Sequence, residues 1–206
     1  MLDVRIDEWL DELADRKPTP GGGAVAALCA ALSAALLEMV GNYTTGKKWA
    51  DREEAMKALV AEAGALRAQA GQLAQADTEA FAAVGAAYAL PRATDEEKAE
   101  RSAAIQRATL GAAEPPVQVG RAATRLVVLA DGLVEPANPN VLSDVGVAAA
   151  TARAALGGSL VNITINAALL RDPDAARGLL DEAAELERVM ARADEVAARV
   201  VERLKA

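Results

Sequence analysis

Residues 18–48, PTPGGGAVAALCAALSAALLEMVGNYTTGKK, decide how this chain folds. Three consecutive glycines lead into an alanine-rich apolar run, and the run closes on two lysines. Alanine and leucine lose little entropy in a helix, and small side chains let helix axes approach closely. The stretch therefore predicts a helix that starts after Gly23 and runs to about Asn42, with a side-chain-free turn at one end and paired positive charge at the other. Residues 24–40 and 145–170 both resemble membrane spans in length. The first contains Glu38, however, and the second Arg153 and the Gly157-Gly158 pair, and both are poor in leucine and isoleucine for a lipid-facing helix. Both are expected to be buried central helices of a bundle.

The rest of the chain reads as helix as well. Its 206 residues suit one large core, so a single domain over 1–206 is expected, and the aromatic share of 2% leaves Ala, Leu and Val to build it. Leu2, Ile6, Leu10 and Leu13 recur at helical spacing and predict a short first helix that stops before Pro18. A long helix follows from Trp49 to Tyr88, with Met56, Leu59, Val60, Leu66 and Leu73 on one face, and breaks at Pro91. Thr94-Asp95-Glu96-Glu97 has the spacing of a capping box and opens a helix to about Ala113. Pro115-Pro116 suits the first turn of the next helix, to Asp131 or Glu135. After the turn at Asn138-Pro139-Asn140, Asn140 or Ser143 would cap a helix to about Leu170, and Asp172-Pro173 starts the last, ending near Leu204. No strand signal and no internal repeat is found. The expected fold is all-α, an up-and-down bundle of about seven long antiparallel helices.

Composition narrows the function. Thirty acidic residues against 22 basic give a net charge of −8, which opposes the phosphate neutralisation that nucleic-acid binding depends on. The one cysteine, Cys29, sits among apolar residues and permits no disulfide framework, as expected for a reducing cytoplasm. The start, MLDVRIDEWLDELADRK, is amphipathic and acidic and does not read as a signal peptide. The sequons at Asn42 and Asn162 are then expected to carry no glycan. Histidine is absent, so no imidazole–carboxylate set for a transition metal exists and no metal cofactor is expected.

Catalysis would rest on Asp, Glu, Lys, Tyr, Ser or amides. Gly21, Gly22 and Gly23 allow close approach of a ligand to the backbone and leave the first helical N–H groups pointing outward. A plain helix entry packed on another backbone accounts for them equally well. Gly41 to Lys48 nearly matches a phosphate loop, but Lys48 stands where Ser or Thr would hold magnesium and a helix precedes it, so no nucleotide is expected. Lys47 and Lys48 either complement a helix dipole or receive carboxylates. Asp77 lies one turn from Phe81, where an apolar setting would raise its pKa for acid or base work, although an exposed helical aspartate is the simpler account. Asn162 and Asn166, one turn apart in an apolar helix, need partners, either another helix or a ligand.

Taken in order, PTPGGG, the alanine-rich helix, GKK, a D-x-E-A-F stretch, NPN with SD-x-GVAA, and N-x-x-x-N resemble the formiminotransferase-cyclodeaminase C-terminal family over about residues 8–170. The resemblance implies dimers of long antiparallel helices and folate chemistry at the carbon bridging N5 and N10. That means either hydrolysis of 5,10-methenyltetrahydrofolate to 10-formyltetrahydrofolate or cyclodeamination of 5-formiminotetrahydrofolate with loss of ammonia. The alternative is a non-catalytic helical dimer that binds a folate-like ligand. On the resemblance, Gly21, Gly22 and Gly23 would lie against the pterin, and Lys47 or Lys48 would take the glutamate tail or the tetrahedral oxygen. Asp77 or Asp144 would move a proton at water, N10 or the departing ammonia. Asn138, Asn140, Ser143, Asn162 and Asn166 would read the pterin's donors and acceptors. Two positions depart from the pattern: Ala24 stands where serine is usual, and Thr164 where arginine is frequent. The implied partners are a folate substrate and a second copy, with no nucleic acid, membrane or further cofactor.

Overall fold

Small side chains govern how the helices meet. In the computed structural model, which describes residues 5–206, helix α2 (Gly22–Tyr43) follows a short α1 (Ile6–Ala14) and is succeeded by α3 (Glu53–Tyr88), α4 (Asp95–Leu133), α5 (Leu142–Leu169) and α6 (Pro173–Lys205). Two 3-10 turns, Lys47–Arg52 and Pro139–Val141, complete the order, and the described residues contain no strand. Ala26, Ala27, Ala30 and Ala34 of α2 are all buried. At Gly158 of α5 an added methyl would stand 2.8 Å from the Ala26 side chain, so glycine there is what lets the two axes come this close.

These contacts set the topology. Gly22 lies beside Asn162, Ala26 beside Gly158, and the Ser33 hydroxyl donates to the Ala148 carbonyl at 2.8 Å, so α2 and α5 run antiparallel. On the other side of α2, Gly23 meets Asp77 and Gly41 meets Val60, which makes α3 antiparallel too. Helix α4 packs on α2, α3, α5 and α6. The core is filled by Leu37, Leu126, Leu133, Leu156 and Ile163, all fully buried, each contributing about 1.5–3 kcal/mol of burial. Ion pairs fasten the exposed edges: Glu62 to Arg125, Arg153 to Asp194 at 2.6 Å, and Asp131 to Arg192 at 2.7 Å. Such exposed pairs contribute at most about 1 kcal/mol each, so packing dominates.

The capping box is realised in full: the Thr94 hydroxyl accepts from the Glu97 N–H at 3.2 Å, and the Glu97 carboxylate accepts from the Thr94 N–H at 3.1 Å. Two expectations change. Pro115 and Pro116 do not start a helix but sit inside α4, which runs unbroken from Asp95 to Leu133, so the described residues form six α-helices and not about seven. Neither Asn140 nor Ser143 caps α5, whose cap position is Val141. Asn138 instead accepts from the Asn140 N–H and organises the preceding turn. Helix α1 docks through Trp9, which is buried, with Leu13 against the core, whereas Ile6 and Leu10 are exposed. Leu2 lies outside the described residues. Among the described helices, α2 alone is long and apolar enough to cross a membrane, and it is also the helix enclosed by α3, α4 and α5.

Candidate active site

The N-terminus of α2 has no side chain of its own to cap it, because Gly21 occupies the cap position. A carboxylate from a different helix stands there instead. Asp77 of α3 is directed at Gly23, where a methyl group would fall within the carboxylate itself. Only glycine fits at that position without displacing the acid. Burial pushes the Asp77 carboxyl above its ordinary pKa, and the Ala24 N–H pulls partly in the opposite direction.

This acid faces a cavity of about 300 Å³. Its walls bring together Gly21, Gly22, Gly23, Asp77, Asn162 and Asn166, with Phe81 alongside. The Asn162 side-chain nitrogen donates to the Gly158 carbonyl at 2.8 Å, and that of Asn166 donates to the Asn162 carbonyl at 2.9 Å and the Ala112 carbonyl at 3.3 Å. Both amides are thereby oriented by backbone. An apolar, ring-sized slot with one acid and two amides can bind a flat heterocycle and move a proton on it. A larger, more open groove of about 580 Å³ between α3 and α4 is lined by alanines, with Arg107 the only charged side chain, and lacks that convergence.

The other half of the expected set lies elsewhere in the chain. Lys47 and Lys48 follow the C-terminus of α2, and a 22-residue helix is about 33 Å long. Because α5 is antiparallel, its first turn, with Ser143 and Asp144, also falls at that far end. Asn138 is buried and bound to its own chain: its N–H donates to the Thr44 hydroxyl at 3.0 Å and its side-chain nitrogen to the Tyr43 carbonyl at 2.9 Å. Asn140 is exposed. Lys48 lies over the Trp49 ring, 4.7 Å from its centre. Among the described residues neither lysine makes an ion pair. Within one chain, Lys47, Lys48, Asn138, Asn140, Ser143 and Asp144 form a second cluster remote from the cavity.

Sequence reading missed part of the wall. Val84, Thr109, Ala112, Ile165 and Leu169 line the cavity, and all but Thr109 look like ordinary core in the sequence. Thr109, buried in an otherwise apolar stretch of α4, was the available signal. Of the two departures, Ala24 does not touch this cavity and lies in a smaller recess with Trp9, Ala74 and Thr78. Thr164 is exposed, with its hydroxyl donating to the Leu160 carbonyl at 2.8 Å.

Known proteins share this arrangement of helices. A methenyltetrahydrofolate cyclohydrolase from Methylorubrum extorquens is 40% identical over 201 residues, covering 97% of this chain and 95% of that protein. The formimidoyltransferase-cyclodeaminase of Rattus norvegicus is 35% identical over 167 residues; the match covers 81% of this chain but 31% of that longer protein. Among solved structures, formiminotetrahydrofolate cyclodeaminase from Thermotoga maritima superimposes with a TM-score of 0.83 at 33% identity, covering 100% of this chain and 98% of the other. The sequence model described as formiminotransferase-cyclodeaminase matches residues 5–185. With nearly the whole length matched in sequence and in fold, the chain belongs to the formiminotransferase-cyclodeaminase family.

Proposed function

We propose that the chain is a folate one-carbon enzyme acting at the carbon between N5 and N10, and that it hydrolyses 5,10-methenyltetrahydrofolate to 10-formyltetrahydrofolate. The observation that carries this reading is the half-buried Asp77 carboxylate held against Gly23 inside a slot walled by Asn162 and Asn166. The 40% identity to a cyclohydrolase along nearly the full length of both chains supports the hydrolytic direction.

In this reaction water adds to the bridging carbon, and a C–O bond forms as one water proton passes to Asp77. The C–N5 bond of the tetrahedral adduct then breaks, Asp77 returns that proton to N5, and the second water proton leaves to solvent. An acid whose pKa is raised toward neutrality suits both halves of this cycle. As an anion, it also favours the cationic methenyl substrate.

Lys47, Lys48 and Asp144 join the site if two copies pair. Helices α2 and α5 support such pairing, because Leu32, Val147, Val161 and Ile165 are exposed on neighbouring helices whose only charges are Glu38, Asp144 and Arg153. Glu38 and Arg153 are turned to Arg67 and Asp194 on flanking helices. A two-fold axis that crosses this face perpendicular to the helices sets the lysine end of one copy beside the glycine end of the other. Lysines there receive the glutamate tail.

The test is to mix the purified protein with 5,10-methenyltetrahydrofolate and follow the decay of its near-ultraviolet absorbance. Decay well above the spontaneous rate is expected, and a trace that overlies the uncatalysed control from folded protein overturns the reading. A second reaction, cyclodeamination of 5-formiminotetrahydrofolate, is favoured by the structural likeness to a cyclodeaminase, and the same band appearing from that substrate identifies it.

A further inference from the structure

The two prolines inside α4 bear directly on the cavity. Proline has no amide hydrogen, so Pro116 cannot serve the carbonyl one turn earlier, that of Ala112. In a helix with an N–H at position 116 this carbonyl would be occupied. Here it belongs to a residue of the cavity wall, and it accepts from the Asn166 side-chain nitrogen at 3.3 Å, across the gap between α4 and α5.

That contact fixes more than position. The same nitrogen donates to the Asn162 carbonyl at 2.9 Å. Both acceptors are carbonyls, which cannot donate, so the NH₂ end of the Asn166 amide has to face them and both of its hydrogens are engaged. The oxygen is left as the free end. The Asn162 nitrogen spends one of its two hydrogens on the Gly158 carbonyl at 2.8 Å, so it is Asn166 that offers the cavity an acceptor and no donor.

We propose that Pro116 is a positioning residue for substrate recognition: by leaving the Ala112 carbonyl without its helical partner it anchors the Asn166 amide, so that Asn166 presents its oxygen to an N–H edge of the bound ligand. The inference rests on the folate reading for the ligand, since a reduced pterin carries such an edge in its ring N–H and amino groups. It also explains why a helix keeps a proline that a local reading of the sequence treats as a helix start. A ligand presenting an acceptor to Asn166 would meet oxygen against oxygen and be rejected.

The test is a double-mutant cycle with Pro116→Ala and Asn166→Ala, in the full-length protein, with 5,10-methenyltetrahydrofolate as substrate. Pro116→Ala restores the helical hydrogen bond to Ala112, so thermal stability should not fall. KM should rise about five- to tenfold, the loss of one neutral hydrogen bond, with kcat changed by less than about threefold. In the Asn166→Ala background the same substitution should add nothing, because Pro116 acts through the amide. Equal loss in both backgrounds, or no loss in the parent, overturns the proposal. A readout independent of folate comes from the side-chain NH₂ signals in nitrogen–proton spectra of the ligand-free protein, where the pair removed by Asn166→Ala identifies residue 166. That pair should exchange slowly with solvent and lose its protection in Pro116→Ala; unchanged protection overturns the anchor even if the protein binds no folate. A parent protein inert toward folates but with the anchor intact instead overturns the ligand reading.

Discussion

The two ends of α2 differ in how their polar groups are held. At the glycine end, the candidate side chains come from helices other than α2 and line one cavity: Asp77 from α3, and Asn162 and Asn166 from α5. At the lysine end, Asn138 is bound to Thr44 and Tyr43, while Lys47 and the Asn140 side chain face solvent. The first end is enclosed, with its two amides held by backbone carbonyls, and is where the proposed chemistry on a ring would take place. The second is open, with Lys47 and Lys48 exposed, and is where the proposed acidic tail would be received. A flat heterocycle with an acidic tail needs both, and one helix about 33 Å long keeps them apart within a single chain.

This contrast gives predictions of decreasing size. Asp77→Asn should lower the rate of methenyl decay about 10²–10⁴-fold while leaving ligand affinity in place. A variant with full turnover would return Asp77 to the status of a buried helix cap. Gly23→Ala should follow, because its methyl group needs the space of the carboxylate: either the acid or α2 shifts, at about 1–3 kcal/mol of stability, and thermal unfolding beside the rate separates the two. Lys47→Ala and Lys48→Ala should raise KM about tenfold with little change in kcat, as expected for lost charge-assisted contacts to a tail. A fall in kcat alone would move a lysine into the chemistry. Leu32→Glu, on the exposed uncharged face, should give monomers by sedimentation and reproduce the lysine phenotype, whereas a monomer with unchanged KM would mean that the two ends work separately.

The smallest effect is a pH dependence. The Asp77 carboxyl has a raised pKa in the folded state, so the native protein binds its proton more tightly than the unfolded chain does. Its contribution to stability is most favourable in acid and declines as pH rises from the ordinary aspartate value through the raised one. Relative to Asp77→Asn, the parent should therefore lose thermal stability across that window. A constant difference would mean that the acid is as well solvated as an exposed one.

Much of the fold was legible because it rests on local chemistry. The capping box at Thr94, the break near Pro91 and the start at Pro173 appear where residue type places them. Pro115 and Pro116 were misread for a non-local reason, since the carbonyl freed by Pro116 finds a partner on α5, 54 residues away. Helix α1 appears as the short helix before Pro18 that its spacing predicts, but how it docks was not legible, since Ile6 and Leu10 are exposed and the single large ring of Trp9 provides the docking area. In the site, Asp77, the glycines and the two asparagines stood out because each is costly in an apolar helix without a purpose. Val84 and Ile165 did not, because a ring-binding wall and a core wall use the same side chains. The distance between the two ends follows from helix length, but sequence motifs carry order and not direction, so the resemblance drew them together.

Each end also carries one of the chain's two tryptophans. Trp9 is buried beside Pro20 and Ala24 at the glycine end, and Trp49 lies beneath Lys48 at the other. Replacing either by phenylalanine leaves a single tryptophan, which can be excited selectively over Tyr43 and Tyr88. Trp9 lines a recess that shares Thr19 with the ring slot, so on the proposed reading emission from the Trp49→Phe protein should respond to occupancy of the slot and emission from the Trp9→Phe protein to capture of the tail. Rapid mixing of the two would show which part of a ligand lands first, without any label.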